Sequence, residues 1–418
     1  MSMEQQTLDP ATFDWWGTLS SPEFLADPHP LLHELRAIGP ILQNDLGAAY
    51  FALGHDAFTK VTRSKIMGND TRLMNNSWYT PENREKDPLT YALFNAFQPQ
   101  ILNVNPPDHR RMRRTYEKFF TPSAVARMEP LIRAETQALL DEMPGMGEVD
   151  LMPTFARHLP FRIILGMFDV PMSEAENIAR YSDTILRISE FLMTPEEKKR
   201  ALDDLIEFKA WTRDFMAHRR RNADDRPIDA VIATGPPDGD LDDDELVTNF
   251  ITMIISGHKT TVSLLGNGIH ALLEHPDQFR RLRRNPDLMK TAIEETMRVE
   301  PGAYLIPRIA NADFHYGGTT IPKGSVCIGL VAAINRDPAV FENPDHMDIA
   351  RNPNPHMSFG GGIHHCLGAP LARLEARIAY EMLLDRYPVL ERAEPTTWVP
   401  HCLNNHCPER LVLHVKGH

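Results

Sequence analysis

The sequence has few cysteines, no long apolar run and a deficit of basic charge. Its four cysteines are too few for a disulfide scaffold in a chain of 418 residues. Since no run reaches about 18 apolar residues and the N-terminus is polar, we expect a cytoplasmic protein with no membrane anchor and no secretory signal. Acidic residues outnumber basic ones by 57 to 44, which disfavours a nucleic-acid partner because phosphate contacts require basic surface.

The remaining composition is that of a globular protein, with 42% hydrophobic and 24% charged residues. The chain contains no internal repeat and no Gly/Ser-rich linker, which favours a single domain over residues 1–418. Within it we predict an N-terminal extension of about residues 1–27, a helix-rich part over 105–300, and a minor β region with a glycine loop over 301–418. The predicted fold class is therefore mainly α with a minor β region.

The longest predicted helix spans residues 243–274. Four acidic residues crowd its start, where they favour the positive end of the helix dipole, and Pro276 ends it. Its middle, FITMIISG, is apolar on nearly every side, which predicts a buried central rod about 45 Å long. Shorter elements are predicted as helices over 286–299 and 368–387, and as strands over 304–310, 325–331 and 410–415.

The most informative segment is Phe359–Gly368, FGGGIHHCLG. Its three consecutive glycines allow the backbone to approach a flat group closely, because no Cβ intervenes. Cys366 precedes a predicted helix, whose N-terminal N–H groups stabilise a thiolate. Such a thiolate is suited to be an axial iron ligand or a nucleophile. A nucleophile requires a base such as His364 or His365, and a buried cysteine without chemistry is the third alternative.

The spacing of this segment, Phe-x-x-Gly-x-His-x-Cys-x-Gly, resembles the haem-ligand loop of the cytochrome P450 family. The matching residues are Phe359, Gly362, His364, Cys366 and Gly368. The resemblance extends over about residues 28–414 and follows the soluble bacterial members. It implies the cytochrome P450 fold, a triangular α-rich prism with haem b between the central helix and the cysteine loop. It also implies that Cys366 is the iron ligand and favours O–O cleavage.

A second motif supports the resemblance. Glu295 and Arg298 are three residues apart and therefore lie on one helix face. Taken alone, such a pair is usually a solvated surface interaction of little energetic value. In the family, the corresponding Glu-x-x-Arg pair joins an arginine before the cysteine loop in a buried network, and Arg351 stands at that position. The resemblance thus implies a structural role for these three residues.

Candidate anchors for the haem propionates are basic residues in three segments. His109 and Arg113 are four residues apart, so they share a helix face, and they match the start of the family's haem-contacting helix. Arg308, in LIPRIA, and His364 match the two other propionate positions. Each of these side chains taken alone is more simply a solvated base. The resemblance implies that all four hold the cofactor.

The central helix departs from the family pattern at one position. Ser256 and Gly257 match the family's oxygen-binding groove, and Thr260 matches the hydroxyl that hydrogen-bonds dioxygen. Lys259 stands where the family places an acid that helps to deliver protons. Three consequences are open. Lys259 pairs with a nearby carboxylate and leaves Thr260 and water to deliver protons, or oxygen activation is slow and loses reducing equivalents as peroxide, or the cation binds an acidic substrate or peroxide.

By family position, the substrate pocket is lined by mostly apolar residues and covered by a lid. The lid is the loop from about Asn83 to Val104. The lining residues are Thr252, Ile255, Ser256, Tyr304 and Ile306. This lining predicts a small hydrophobic substrate, such as a terpenoid, a fatty acid or an aromatic compound.

The resemblance implies a monooxygenase that inserts one atom of dioxygen into a C–H bond. Electrons from NAD(P)H would reach a monomeric enzyme through a reductase and a ferredoxin or flavodoxin. Basic residues that could steer such an acidic partner are Arg110, Arg111, Arg114, Arg280, Arg281, Arg283, Arg284, Arg373 and Arg377. Two alternatives remain. One is a peroxide-driven peroxygenase or a poorly coupled enzyme, because Lys259 replaces the usual acid. The weaker alternative is a non-catalytic protein that binds haem and a ligand.

Overall fold

The computed structural model describes residues 9–44, 49–189, 193–224, 226–236, 239–400 and 403–418. These residues confirm the predicted fold class, because they are mostly helical with short strands. The α-helices are α1 (Trp15–Leu19), α2 (Pro22–Ala26), α3 (His29–Ile38), α4 (His55–Arg63), α5 (Pro81–Lys86), α6 (Pro88–Phe97), α7 (Asp108–Glu117), α8 (Pro122–Arg127), α9 (Glu129–Glu142), α10 (Leu159–Met167), α11 (Ala175–Leu186), α12 (Pro195–Arg221), α13 (Pro227–Ile232), α14 (Asp243–Glu274), α15 (Pro276–Arg284), α16 (Met289–Val299), α17 (Val331–Ile334) and α18 (Ala369–Arg386). Among the described residues, none of the helices is both long and apolar enough to cross a membrane.

The strands are short and form small sheets. They are β1 (Ile41–Asn44), β2 (Ala49–Ala52), β3 (Met67–Gly68), β4 (Met146–Asp150), β5 (Leu305–Ala310), β6 (Phe314–Tyr316), β7 (Thr319–Ile321), β8 (Val326–Leu330), β9 (Val389–Arg392), β10 (Thr397–Trp398), β11 (Pro408–Arg410) and β12 (Val412–Lys416). The main sheet has the order β1-β2-β8-β5-β3, with β2 and β8 parallel and the other neighbours antiparallel. A second sheet has the order β4-β12-β9.

Four of these strands, β1 to β4, lie upstream of the predicted β region and were not identified from the sequence. Each has only two to five residues, which is too short to show a clear alternation of apolar and polar side chains. The strand predicted over 410–415 is divided, because β11 ends at Arg410 and β12 begins at Val412. The minor β region is therefore assembled from both ends of the chain.

The central helix α14 has the bounds that the sequence predicts. Asp242 accepts a hydrogen bond from the N–H of Glu245, and the Glu245 carboxylate accepts one from the N–H of Asp242. This reciprocal cap fixes the start of the helix, and Pro276 follows its end. Helices α10, α12, α16 and α18 pack against α14. Every side chain over 246–255 is buried, so α14 is the predicted central rod.

The described part of the N-terminal segment, from residue 9 onward, packs into the core. Helices α1 and α2 lie inside the stretch 1–27 that was predicted as an extension. The ring of Trp15, in α1, stacks on Phe51 of β2 with a centroid distance of 3.9 Å, and both side chains are fully buried. The described part of this segment therefore covers one face of the main sheet.

Residues 83–104, predicted as a loop, are mostly helical and include α6. The long helix α12 holds α6 at both ends through two lysines. Lys198 pairs with Asp87, the N-cap of α6, at 2.6 Å. Lys209 donates to the carbonyl oxygen of Ala96 at 2.5 Å. The predicted lid is thus an ordered element that is fastened to α12.

Candidate active site

The glycine loop before α18 is held in one shape by its backbone. The N–H of Cys366 donates to the carbonyl oxygen of Phe359 at 2.9 Å, which closes the loop. Gly360 and Gly362 both have a φ of +67°, in the left-handed region that favours glycine. At Gly362, a Cβ would lie 1.9 Å from the carbonyl oxygen of Thr62, so a side chain has no room there. The loop sequence therefore determines where Cys366 presents its sulfur.

Cys366 has the surroundings of a thiolate ligand at a helix start. Its side chain is accessible, although enough protein surrounds the sulfur that burial raises the pKa of the thiol. The backbone N–H groups of Gly368 and Ala369 oppose that rise in pKa, as do the charges of Arg113 and Arg373. Binding to a metal cation would complete this stabilisation, because the thiolate is the form that ligates metals.

Three basic side chains converge near the cysteine loop. The rings of His109, in α7, and His364 have centroids 4.2 Å apart, and Arg308, in β5, donates to the carbonyl oxygen of Gly361 at 3.3 Å. Each has one buried nitrogen without a hydrogen-bond partner, Nε2 in the histidines and Nε in Arg308. Burial lowers the pKa of His109 to about 4, of His364 to about 2 and of Arg308 to about 10. This cluster fits an anionic group, which would accept hydrogen bonds from these nitrogens and compensate the charge of Arg308.

Arg113, the fourth predicted anchor, forms three hydrogen bonds within the protein. Its Nη1 donates to the carbonyl oxygens of Ile363 and His365, both at 3.1 Å, and its Nε donates to Glu117 at 3.0 Å. Arg113 therefore ties α7 to the cysteine loop and places a positive charge near Cys366.

Ser256 and Thr260 form an accessible polar pair in the middle of the mostly buried helix α14. Both are exposed and lie one helical turn apart. The Thr260 hydroxyl donates to the carbonyl oxygen of Ser256 at 3.1 Å. Gly257 packs against α10, since a Cβ there would lie 2.5 Å from Cδ1 of Ile164. Helix packing thus requires the small residue that the sequence analysis assigned to the oxygen-binding groove.

Lys259 is paired with a carboxylate. Its ammonium donates to Asp183 of α11. The structure thus contains the carboxylate pairing named in the first of the three alternatives, while the consequence of Lys259 for proton delivery stays a prediction. Asp183 could not be found from the sequence, because it lies 76 residues upstream and no local pattern marks it.

The sequence analysis also missed two amides that fasten the end of the lid to α14. The hydroxyl of Thr252 is buried and donates to Oε1 of Gln100 at 3.0 Å. One turn earlier, Oδ1 of Asn249 accepts from the N–H of Ile101 at 2.7 Å. Thr252, predicted to line the pocket, is therefore engaged with the lid. An amide inside an apolar stretch is the sequence signal that could have identified Asn249.

The other predicted lining residues lie in different surroundings. Ile255 is buried in the main core, and Ile306 is partly buried beside Gly360 of the cysteine loop. Tyr304 is 3% exposed and its ring stacks on His406 at a centroid distance of 4.3 Å. Tyr304 thus packs within the cluster formed with the N-terminal helices.

Glu295, Arg298 and Arg351 form a buried ionic network. The side chains of Glu295 and Arg298 have no exposed surface and share two hydrogen bonds of 2.8 Å. Nε of Arg351 lies 3.2 Å from both carboxylate oxygens. Asn354 and the N–H of Asp348 donate to the same carboxylate. This pair is thus unlike an ordinary surface pair of the same spacing.

Together these groups fit an iron porphyrin. A haem needs an axial ligand for iron and partners for its two carboxylates. Cys366 can supply the first, and the unpartnered nitrogens of His109, Arg308 and His364 can supply the second. The accessible hydroxyls of α14 add polar groups for a reacting molecule.

Comparisons with known proteins agree with this interpretation. The family model for cytochrome P450 matches residues 71–401. The biotin biosynthesis cytochrome P450 of Bacillus subtilis (strain 168) is 32% identical over 378 residues, which cover 90% of this chain and 93% of that protein. The vitamin D(3) 25-hydroxylase of Pseudonocardia autotrophica is 34% identical over 379 residues, 90% of each protein.

A solved structure shares the fold as well. The structure of P450BioI in complex with an acyl carrier protein ligated to hexadec-9Z-enoic acid has a TM-score of 0.86 and 30% sequence identity, and it covers 94% of this chain and 100% of that chain. Similarity in sequence and fold thus extends over nearly the whole described chain and includes the cysteine loop. The chain belongs to the cytochrome P450 family of haem-containing monooxygenases, which are oxidoreductases.

Proposed function

We propose that this protein is a haem-thiolate monooxygenase that uses haem b to hydroxylate a small hydrophobic substrate. The observation that carries the proposal is the convergence of accessible Cys366 with the unpartnered nitrogens of His109, Arg308 and His364. A neutral ligand would leave the buried charge of Arg308 uncompensated, whereas an anionic group would balance it and accept hydrogen bonds from the two neutral histidines.

The protein groups have separate tasks in this proposal. When bound, haem supplies the oxygen activation and the oxidation of a C–H bond. Cys366 contributes thiolate electron density, while His109, Arg308 and His364 bind carboxylates. The Thr260 hydroxyl, which the Ser256 carbonyl orients, can hold a proton at the accessible face of α14.

The substrate is proposed to be apolar. The wall near Ser256 and Thr260 is built from α14, whose preceding ten side chains over 246–255 are buried and mostly apolar. Structures of relatives support this class, since one holds an acyl chain on a carrier protein and another, from a myxobacterium, holds myristic acid at a TM-score of 0.86 and 30% identity. Apolar burial would supply the main driving force for binding.

Electrons are proposed to come from NAD(P)H through a reductase and a ferredoxin or flavodoxin. Several predicted docking arginines are engaged within the protein. Arg111 pairs with Glu245, and Arg373 pairs with Glu294. The predicted docking residues that are exposed are Arg110, Arg114, Arg280, Arg281 and Arg284. Because Arg281 is also paired with Asp348 at 2.8 Å, the other four are the stronger candidates for steering an acidic partner.

The first test is the carbon monoxide difference spectrum of the reduced protein, followed by turnover assays on a panel of hydrophobic compounds. We expect a thiolate-type spectrum that Cys366→Ser abolishes, and product that requires NAD(P)H, a reductase and a ferredoxin. Product formed with peroxide alone would favour the peroxygenase. Ligand binding without product from any electron source would favour a non-catalytic haem protein.

A further inference from the structure

The Lys259–Asp183 ion pair lies at the edge of the accessible face of α14. Lys259 is flanked along the helix by exposed Ser256 and Thr260. Its ammonium donates to Asp183 of α11 and is close enough to Cys407, in the turn before β11, to influence the thiol electrostatically. Helices α14 and α11 and the turn before β11 therefore come together around this one ammonium group.

The two partners of the pair are unequally buried. The Lys259 side chain is 21% exposed, whereas Asp183 is 66% exposed. Removing Lys259 would leave a well-hydrated carboxylate at the surface. Removing Asp183 would instead leave a partly desolvated ammonium that gains strongly from any anion that reaches it. Asp183 is also the one carboxylate that lies within 4 Å of this ammonium in the part of the chain that the structure describes.

We propose that Asp183 is a specificity-determining residue, which occupies Lys259 and thereby keeps anionic substrates from being preferred in the pocket. With the pair intact, the two opposite charges compensate each other and the pair carries no net charge. Without Asp183, Lys259 becomes an anchor for a carboxylate. The inference rests on the proposed function, since it concerns the substrate class of the same pocket.

Two ligands of equal chain length, dodecanoic acid and dodecanol, separate charge from apolar burial. Their dissociation constants are measured by calorimetry on the haem-loaded protein, so that the readout is binding and not turnover. We expect the wild type to bind dodecanol at least as tightly as dodecanoate. In Asp183→Asn, we expect the ratio of the two constants to shift about tenfold in favour of dodecanoate, as for a partly buried charge pair.

Two controls isolate the ion pair. Asp203→Asn makes the same charge change on α12, where Asp203 pairs with Lys199 at the surface, and we expect it to leave the ratio unchanged. The double variant with Asp183→Asn and Lys259→Met removes the cation and is expected to lose the gain. Thermal midpoints of all variants show whether each remains folded.

The proposal is overturned if Asp183→Asn leaves the ratio unchanged or does not bind dodecanoate. It is also overturned if Asp203→Asn gives the same gain, since the effect would then be long-range charge. A different result bears on the proposed function instead. If Asp183→Asn binds dodecanoate while the wild type binds no apolar probe, the apolar substrate class is wrong and the role of the pair stands.

Discussion

Two buried clusters of polar side chains differ in how fully the protein satisfies them. In the network of Glu295, Arg298 and Arg351, hydrogen bonds of 2.8 to 3.2 Å join each guanidinium to the one carboxylate. In the cluster of His109 and His364 with Arg308, three buried nitrogens have no partner. Both clusters are within the same fold and carry several basic groups, but only the first contains its own counter-charge.

This difference separates structural chemistry from binding chemistry. An unsatisfied buried polar group destabilises the folded protein by about 1 to 3 kcal/mol. Three such groups together are therefore strongly unfavourable unless a bound ligand supplies the missing hydrogen bonds. The network needs no ligand and is suited to brace the segment before the cysteine loop. The cluster is complete only with an anion, which is why we assign it to the haem carboxylates.

The comparison predicts that breaking the network has the largest effect. Glu295→Gln removes the shared carboxylate charge and leaves Arg298 and Arg351 buried without compensation. We expect a loss of about 3 to 5 kcal/mol in the free energy of unfolding, measured by urea denaturation. Lys199→Ala, which breaks an exposed pair, is the control and is expected to cause no measurable change. A loss for Glu295→Gln as small as that of the control would contradict the structural assignment.

The next effect concerns the loop that carries His364 toward the cluster. Gly360→Ala and Gly362→Ala place the same side chain at the same φ of +67°, but only the second meets a backbone oxygen, at 1.9 Å. We expect about 1 kcal/mol of destabilisation for Gly360→Ala from backbone strain. For Gly362→Ala we expect about 3 kcal/mol, because overpacking adds to that strain. Equal losses in urea denaturation would show that the fit against Thr62 is unimportant.

Whether a feature could be predicted depends on how far apart in the sequence the residues that form it lie. The bounds of α14 and the cysteine loop follow from caps, proline and glycine spacing, which act within a few residues. Asp183 and Gln100 reach α14 from 76 and 152 residues away, so no local pattern reveals them. The spacing of Glu295 and Arg298 located the pair, but only its resemblance to a family indicated that it is buried.

Tertiary packing also shows the surroundings of residues that the sequence analysis predicted to line the pocket. Tyr304 was predicted there by family position, and its ring stacks on His406 in the cluster beside the N-terminal helices. Helices α1 and α2 lie in the stretch that was predicted as an N-terminal extension, because the family resemblance begins at about residue 28. The surface that these helices cover could not be predicted. The surface is the sheet built partly from β1 and β2, which the sequence analysis had not identified.

A smaller effect is expected for the retention of haem. His364→Leu removes one of the unpartnered nitrogens and leaves the loop glycines unchanged. Because a hydrogen bond to a charged group is lost, we expect haem to transfer to excess apomyoglobin about tenfold faster. His365→Leu changes the exposed neighbour and is expected to leave the transfer rate unchanged. Equal rates for the two variants would argue against a carboxylate contact at His364.

A pH effect extends the comparison to a buried imidazole whose Nδ1 has a hydrogen-bond partner. His258 is buried beside Lys259 and donates through Nδ1 to the carbonyl oxygen of Ile254 at 2.7 Å. Burial lowers its pKa from 6.5 to about 3. Between these values the unfolded chain binds the proton that the folded protein excludes. The stability contributed by neutral His258 is therefore complete above pH 6.5 and is lost as the pH falls toward 3.

The unfolding free energy changes with pH by at most about 1.4 kcal/mol per pH unit for the one proton that His258 binds. Urea denaturation of the haem-loaded protein at pH 7 and pH 5 measures this slope. His258→Gln keeps a donor for the Ile254 carbonyl but does not titrate, so we expect the pH dependence of the unfolding free energy to decrease by one proton. His414→Gln alters an exposed histidine of β12 and is expected to leave it unchanged. If His258→Gln retained the full slope, the acid lability would arise from other buried histidines whose pKa is lowered by burial, such as His270 and His406, and a hydrogen bond from Nδ1 to a carbonyl oxygen would not by itself make a buried histidine sensitive to pH.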